Sequence, residues 1–282
     1  MEDVMTGRQV GTSPLTLTQL TQLVPALTVS APHASRSDKY AFVPTLPVVK
    51  ALGEVGFEPY AAQSAAVRDA DREGFQKHLI RFRHSSNVAG SRGGVGELVM
   101  ISSHDGRKSW QLYAGWFEFL CSNGLVVGDK AAELRIPHKG KQEEVLQLVQ
   151  DGARDMVLYL AELAQRRQEW LETPCNYDNQ LAFAKDVIKL RYDDSKHIPI
   201  EPTQLLVPRR EAEMLRQSRH AMPRPRENVW STLNVLQENA IQGGIVGRDS
   251  NGRIRTQKAI KSIDRGTQLN RDLWRVAERY AA

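Results

Sequence analysis

The sequence predicts an α+β protein, in which an N-terminal antiparallel sheet with hairpins packs on helices and a mainly helical C-terminal half follows. Two patterns support this prediction. Between residues 57 and 127, apolar residues alternate with polar ones or form short continuous runs, as is typical of strands. After Pro137, apolar residues recur at intervals of three, four and seven, as is typical of amphipathic helices.

Composition and pattern divide the chain into four parts. Residues 1–36 are rich in Thr, Ser, Pro and Gln, and we predict a loosely ordered arm with one short helix at residues 16–23. A sheet domain is predicted over residues 37–140, a helical region over 141–221 and a basic helical C-terminal region over 222–282.

Three strands are predicted within the sheet domain, after a helix at residues 43–55. The first strand alternates apolar and basic residues, so we expect one of its faces to be exposed. The second and third flank Asp105-Gly106, a pair typical of hairpin turns. The third is apolar on both faces, which predicts a central strand covered by helices. The strands span residues 75–83, 97–102 and 109–120.

Helices dominate the predicted C-terminal half, and proline and glycine mark their ends. Pro174 ends the first helix, and the proline-rich residues 222–226 form a linker that cannot be helical throughout. The last two helices flank a basic segment that we interpret as a loop. The predicted helices span residues 142–171, 181–191, 208–218, 228–241 and 268–280.

Composition also excludes several classes of protein. No run of eighteen apolar residues is present, so a membrane-spanning helix is not expected. The first twenty residues are polar and lack the apolar centre of a secretory signal. The 2 cysteines have no CxxC spacing, so neither a disulfide framework nor a cysteine-rich zinc site is expected. These features favour the cytoplasm.

Five segments match the signature of one known family; they are residues 38–45 (DKYAFVPT), 102–106 (SSHDG), 116–125 (WFEFLCSNGL), 228–239 (NVWSTLNVLQEN) with Gly243-Gly244, and 269–274 (LNRDLW). On these segments the chain resembles the phage/plasmid-like protein family, a domain of unknown function numbered 932. The resemblance covers residues 35–282. It implies an origin on mobile DNA and brings no established chemistry.

Histidines and acids of the predicted strands raise the question of a metal site. His78, His84 and His104 lie in or beside strands, with Glu97 and Asp105 close in sequence. Imidazole and carboxylate ligands suit zinc or manganese. Because HxH and HExxH spacings are absent, we favour satisfied histidines and predict no metal site.

Candidates for other chemistry are weaker. Cys121 ends an apolar strand without a recognisable base, so we predict a buried hydrophobic role, together with burial of Trp116, Phe119 and Leu120. Asn123 or Gly124 should then have positive φ. The glycine-rich residues 91–96 precede a strand rather than a helix, and no GxxxxGK[ST] motif is present, so we predict neither a bound nucleotide nor another cofactor. We expect no enzymatic activity.

The strongest candidate site is a basic segment near the C-terminus. Residues 209–282 carry 15 Lys/Arg and 8 Asp/Glu, a net charge of +7, whereas the rest of the chain has a net charge of −2. Such asymmetry favours an acidic partner, although a solvated basic surface would also explain it. We predict that six cations contact phosphates: Arg248, Arg253, Arg255, Lys258, Lys261 and Arg265.

Aromatic residues of the predicted third strand offer a second kind of nucleic-acid contact. Trp110, Tyr113, Trp116 and Phe117 would stack on bases if they were exposed. Ordinary packing in the core is the alternative, and we favour it.

Two functions follow as hypotheses. The first is a nucleic-acid-binding protein of a phage, prophage or plasmid, with DNA as the expected partner. A helix, a hairpin sheet and further helices are also similar in order to the core of single-strand annealing proteins, which would imply annealing in recombination and ring-shaped homo-oligomers. The alternative is a non-enzymatic interaction protein that inhibits a host defence or nuclease.

Overall fold

The computed structural model describes residues 9–10, 13–37, 39–67, 69–86, 94–118, 126–127, 133–192, 200–207, 227–249 and 251–282. It confirms the predicted α+β class, with an antiparallel sheet followed by a mainly helical half. Contacts between Cα atoms divide the chain into two compact units: residues 1–116 with 130–163, and residues 117–129 with 164–282. The four-part division made from composition stays a prediction.

The strands of the sheet lie in the order β1-β2-β3-β4-β5, and β7 pairs with β5. The pairing of β3 with β4 is antiparallel and places Ile80 opposite Met100 and Phe82 opposite Leu98. The turn between β4 and β5 contains Gly106 at φ 72°, as predicted for the Asp105-Gly106 hairpin. The strands are β1 (Gln9–Val10), β2 (Phe57–Ser64), β3 (His78–His84), β4 (Gly94–Ser102), β5 (Trp110–Glu118), β6 (Val126–Val127) and β7 (Glu133–Ile136).

The prediction that β3 is half exposed is wrong. Its basic residues Arg81 and Arg83 are buried along with Ile80 and Phe82. Both guanidinium groups bond Glu97 of β4, which is 0% exposed, and the Arg83 Nε–Glu97 Oε1 distance is 2.9 Å. The acidic partner of the two arginines lies on another strand. The alternation of apolar and basic residues within β3 therefore resembles that of a half-exposed strand, although β3 is internal.

Helices α1 (Leu17–Leu23), α2 (Thr45–Glu54) and the first part of α3 (Gln142–Glu172) belong to the first unit. Thr16 and Gln19 form a capping box that starts α1. Helix α3 lies beside α2, since Gln150 Nε2 donates to the Ala51 carbonyl at 3.2 Å. It also approaches β7 closely at Gly152, where an added Cβ would lie 2.1 Å from the Leu134 side chain.

The end of β5 is partly described. Trp116 is 4% exposed, which confirms its predicted burial. Trp110 and Tyr113 are buried as well, so their predicted role in the core is confirmed. The predictions for Phe119, Leu120, Cys121, Asn123 and Gly124 concern residues outside those that the structure describes, as do the predicted helix at residues 208–218 and the linker at 222–226.

The second unit packs helices around a cluster of tryptophans. Trp170, at the end of α3, lies 4.4 Å from Trp274 and 6.2 Å from Trp230, measured between ring centroids. Phe183 stacks on Tyr280 at 4.6 Å. The remaining elements are α4 (Tyr177–Tyr192), α5 (Pro202–Leu205), α6 (Val229–Gln242), β8 (Val246–Arg248), β9 (Ile254–Thr256) and α7 (Ile263–Ala281).

Helix α6 ends at a glycine that no other residue can replace without strain. Gly243 has φ 63° and ψ −144°, a conformation that is essentially restricted to glycine. A Cβ at this position would lie 2.5 Å from the Gln257 carbonyl oxygen and 2.7 Å from the Lys258 carbonyl carbon. These contacts are with backbone atoms, so a side-chain rotation cannot relieve them.

Replacing Gly243 by alanine should therefore destabilise the second unit by about 2–4 kcal/mol, because it adds a backbone clash to an unfavourable φ. Gly252→Ala is the matched control, since Gly252 also has positive φ (73°) but has open space around its Cβ position. The control should cost only about 1 kcal/mol. Urea denaturation of both variants measures the difference, and equal destabilisation of the two would contradict this account.

Candidate functional site

The basic segment folds into a β-hairpin followed by the start of helix α7. In this hairpin Gly247 pairs with Arg255, and Val246 pairs with Thr256. The interpretation of the segment as a loop is therefore wrong for residues 246–248 and 254–256. Strands of three residues are too short to show a clear alternation in sequence, which explains the error.

Asp249 organises the tip of this hairpin. Its carboxylate accepts hydrogen bonds from the backbone N–H groups of Asn251 at 2.9 Å and Arg253 at 3.0 Å. It also accepts one from Arg255 Nε at 2.9 Å. The Arg255 bond, with the two backbone bonds, holds the pKa of Asp249 below its usual value. The carboxylate is therefore charged at neutral pH and keeps the turn in one conformation.

A buried arginine fixes the base of the hairpin. Arg191 of α4 donates from Nε to the Ala240 carbonyl and from Nη2 to the Lys258 carbonyl, both at 3.0 Å. Burial lowers the pKa of Arg191; Tyr192 raises it, and the positive charge of Arg265 lowers it. Arg191 thus ties helix α6 to the segment that follows β9.

Five of the six predicted cations are exposed: Arg253, Arg255, Lys258, Lys261 and Arg265. The side chain of the sixth, Arg248, lies outside those that the structure describes. Arg255 is partly neutralised by Asp249. The other four exposed cations form no salt bridge within the described part of the chain. We refer to Arg253, Lys258, Lys261 and Arg265 as the basic surface.

The N-terminus of helix α7 adds to the positive potential of the basic surface. Ser262 caps this helix, and its Oγ accepts from the Arg265 N–H at 3.4 Å. The unpaired N–H groups of a first helical turn carry partial positive charge. Lys261 precedes the cap and Arg265 lies in the first turn, so their charges add to that of the helix end, while Asp264 in the same turn offsets one of them.

The predicted group of three histidines is only partly brought together. Thr45 Oγ1 of α2 lies 3.0 Å from His78 Nε2 and 2.8 Å from His104 Nε2, and all three residues are 0% exposed. His84 does not contact these residues; its Nδ1 lies 2.6 Å from the Ser86 hydroxyl oxygen. His138, distant in sequence, joins the cluster through Trp110, with the rings 5.9 Å apart.

The acids named with these histidines are engaged in ion pairs. Asp105 bonds Arg72 Nη1 at 3.3 Å, and Glu97 lies between Arg81 and Arg83. Across the described ranges, no group of three His, Cys, Asp or Glu residues is arranged to hold a metal ion. Within the same ranges, no helix is long and apolar enough to cross a membrane.

Hydrogen bonding sets the protonation of the histidine cluster. His78 Nδ1 lies 3.2 Å from the Gln76 carbonyl, to which only an N–H can donate. A neutral His78 then accepts the Thr45 hydroxyl proton at Nε2, and the Thr45 oxygen accepts from His104 Nε2. Each donor of this scheme has one acceptor when both rings are neutral, and the buried His104 Nδ1 has no hydrogen-bond partner among the described residues. Burial opposes a charge on either ring and lowers the pKa of His78 to about 4 and that of His104 to about 3.

Known proteins resemble this chain over most of its length. The family described as Domain of unknown function (DUF932) matches residues 32–274. The chain belongs to the DUF932 family. Two proteins of Escherichia coli (strain K12), UPF0380 protein YfjQ and UPF0380 protein YafZ, are each 33% identical over 265 residues, which cover 94% of this chain and 91% of theirs. No solved structure matches the chain.

One of the segments that carry the family resemblance builds the support of the hairpin. Asn228 caps α6 by accepting from the Ser231 N–H at 2.8 Å, and Gly243 and Gly244 both have positive φ where the chain enters β8. Polar residues of α6 are buried, and Asn239 Nδ2 donates to the Leu205 and Val207 carbonyls at 2.8 and 2.9 Å. This helix therefore positions its neighbours through hydrogen bonds as well as apolar contacts.

Sequence reasoning missed several residues that shape these sites. Arg191, Thr45 and His138 were not singled out, because their partners lie at least 30 residues away along the chain. The buried polar face of α6 did carry a signal: Asn234, Gln237, Glu238 and Asn239 lie in a helix that starts with a strong cap and ends at a glycine pair. Apolar residues lie among these polar positions, so the helix has no continuous polar face, and this pattern is compatible with burial on all sides.

The neutral histidine cluster should make folding sensitive to acid. In the unfolded chain these histidines have the ordinary pKa of 6.5, so below this pH the unfolded state binds protons that the folded state excludes. The free energy of unfolding should be insensitive to this effect above pH 6.5. It should fall as the pH is lowered to about 5, by on the order of 1–2 kcal/mol for each histidine.

Urea denaturation at several pH values between about 7.5 and 5 measures this effect. His104→Gln should lower stability at neutral pH but flatten the dependence on pH, because the variant removes one of the protons that the folded state excludes. A free energy of unfolding that stays constant across this window in the unmodified protein would contradict the neutral, buried cluster.

Proposed function

We propose that the protein binds nucleic acid through the basic surface. The observation that supports this best is the set of four exposed cations, Arg253, Lys258, Lys261 and Arg265, which lack acidic partners within the described part of the chain. Two other arginines of the same unit, Arg255 and Arg275, do pair with acids, namely Asp249 and Asp272. Unpaired cations on one segment favour a polyanion as the ligand.

The preorganisation of the segment supports the same ligand class. Asp249 shapes the hairpin tip, Arg191 holds its base, and Ser262 caps the helix that follows. Because the backbone of the segment is already hydrogen-bonded, binding to phosphates orders only the side chains of these cations. Because contacts to phosphate carry no sequence information, this surface would bind different sequences with similar affinity.

The narrower and alternative functions remain predictions. Annealing by stacking would need exposed rings, but Trp110, Tyr113 and Trp116 are buried, so these residues do not support it. Binding through the basic surface requires no catalytic group, no cofactor and no membrane contact, and we expect it to take place in the cytoplasm. Inhibition of a host protein becomes the first hypothesis if nucleic-acid binding fails.

The dependence of binding on salt tests the proposal. Fluorescence anisotropy with labelled DNA and RNA between about 50 and 200 mM salt should show affinity falling steeply, because each neutralised phosphate releases counterions. The triple variant Arg253→Ala, Lys258→Ala, Lys261→Ala should bind more weakly. Its slope of log K against log salt should be shallower by roughly 0.7–0.9 for each phosphate that is no longer neutralised.

A matched triple variant controls for net charge. Lys50→Ala, Lys139→Ala and Lys141→Ala remove three exposed lysines of the first unit, which lie outside the basic surface. We expect this control to keep the slope of the unmodified protein. Equally weakened binding in the two triple variants would contradict the assignment to the basic surface, and the absence of any binding at low salt would contradict nucleic-acid binding altogether.

A further inference from the structure

The two faces of the hairpin carry different residues. The pairings of Val246 with Thr256 and of Arg248 with Ile254, with the alternation along a strand, place these four residues on one face. Arg255 lies on the opposite face with Gly247. The first face therefore combines two aliphatic residues with Arg248 and Thr256.

The two aliphatic residues of the first face are exposed. Ile254 is 65% exposed and Val246 is 49% exposed. The hairpin continues into its support through Gln257 N–H to the Ile245 carbonyl at 2.8 Å and Gly244 N–H to the Gln257 carbonyl at 2.7 Å. Two exposed aliphatic side chains thus lie on a hydrogen-bonded ribbon, beside cations that favour a polyanion.

This segment lacks aromatic residues, which favours a double-stranded over a single-stranded nucleic acid as its ligand. Residues 243–267 contain no Phe, Trp or Tyr. Proteins that hold single strands typically use aromatic rings as stacking platforms, and this segment offers none. Aliphatic groups instead make apolar contacts with the edges of paired bases, above all with the methyl group of thymine.

The shape of the hairpin favours the same ligand. The two strands of a ribbon lie about 5 Å apart, and the major groove of B-form DNA, about 12 Å wide, admits a two-stranded ribbon. The major groove of A-form RNA is too deep and narrow for side chains to read.

We propose that the ligand of the basic surface is double-stranded DNA, and that the hairpin enters its major groove with Ile254 and Val246 against the base edges. This inference rests on the proposed nucleic-acid binding and narrows it to one ligand class. The cations Arg253, Lys258, Lys261 and Arg265 contact the phosphates that border the groove. The ribbon reads bases by apolar contact, so its preference among sequences is weak and favours A·T pairs.

Binding to three matched ligands tests this inference. Fluorescence anisotropy at one low salt concentration compares a DNA duplex of about twenty base pairs, or two helical turns, with the single strand and the RNA duplex of the same sequence. We expect at least a tenfold preference for duplex DNA. Equal or tighter binding of the single strand or of RNA would overturn the inference while leaving nucleic-acid binding in place. Failure to bind any of the three would instead overturn the proposed function.

A single substitution separates the aliphatic contact from the ionic ones. Ile254→Ala should weaken duplex binding several-fold without changing the salt slope, because the net charge stays the same. Leu158→Ala is the matched control, since Leu158 is 69% exposed on α3 of the first unit, and it should bind as the unmodified protein does. Unchanged affinity of Ile254→Ala would overturn the base contact.

Groove-specific dyes test the position of the ribbon. Methyl green, which occupies the major groove, should compete with the protein for the duplex, and distamycin, which occupies the minor groove, should not. Competition by distamycin alone would overturn the major-groove placement.

Discussion

The buried guanidinium of Arg191 is the interaction on which the candidate site depends. It bonds the Ala240 carbonyl at the end of α6 and the Lys258 carbonyl beyond β9, so the hairpin between these points has a fixed base. Gly243 permits the two backbones to approach closely, since any Cβ there would clash with residues 257 and 258. Because Arg191 donates to backbone carbonyls rather than to an acid, the site gains a fixed geometry without a carboxylate that would neutralise the nearby cations of the basic surface.

Buried polar groups find their hydrogen-bond and ion-pair partners in different ways in the two units. In the first unit, Glu97 is placed between Arg81 and Arg83, and breaking such a buried ion cluster by removing one partner typically costs about 3–5 kcal/mol. The histidine cluster stays neutral, and Thr45 satisfies both Nε2 atoms with one hydroxyl group. In the second unit, amide side chains of α6 bond backbone carbonyls. Each arrangement fixes one geometry, because its partners cannot be exchanged without leaving a buried polar group unpaired.

Much of the fold could be predicted from the sequence, because long periodic segments specify their own structure. The turn at Asp105-Gly106 and the helix over residues 142–172 are examples. The errors arose where partners are distant or elements are short. The predicted exposure of β3 was wrong because Glu97, the partner of its arginines, lies on β4. The hairpin formed by β8 and β9 was missed because each strand has only three residues. For the candidate site, the exposed cations could be predicted from charge, but the role of Arg191 could not, since it acts 67 residues away along the chain.

Mapping of lysine reactivity tests the central claim most directly, because it locates the contact on the intact protein. Acetylation with and without duplex DNA, followed by mass spectrometry, compares Lys258 and Lys261 of the basic segment with Lys139 and Lys141 of the first unit, all of which are exposed in the free protein. If the basic surface binds phosphates, DNA should slow acetylation of Lys258 and Lys261 and leave Lys139 and Lys141 unchanged. Protection of Lys139 and Lys141 alone would place the nucleic acid elsewhere and contradict the account.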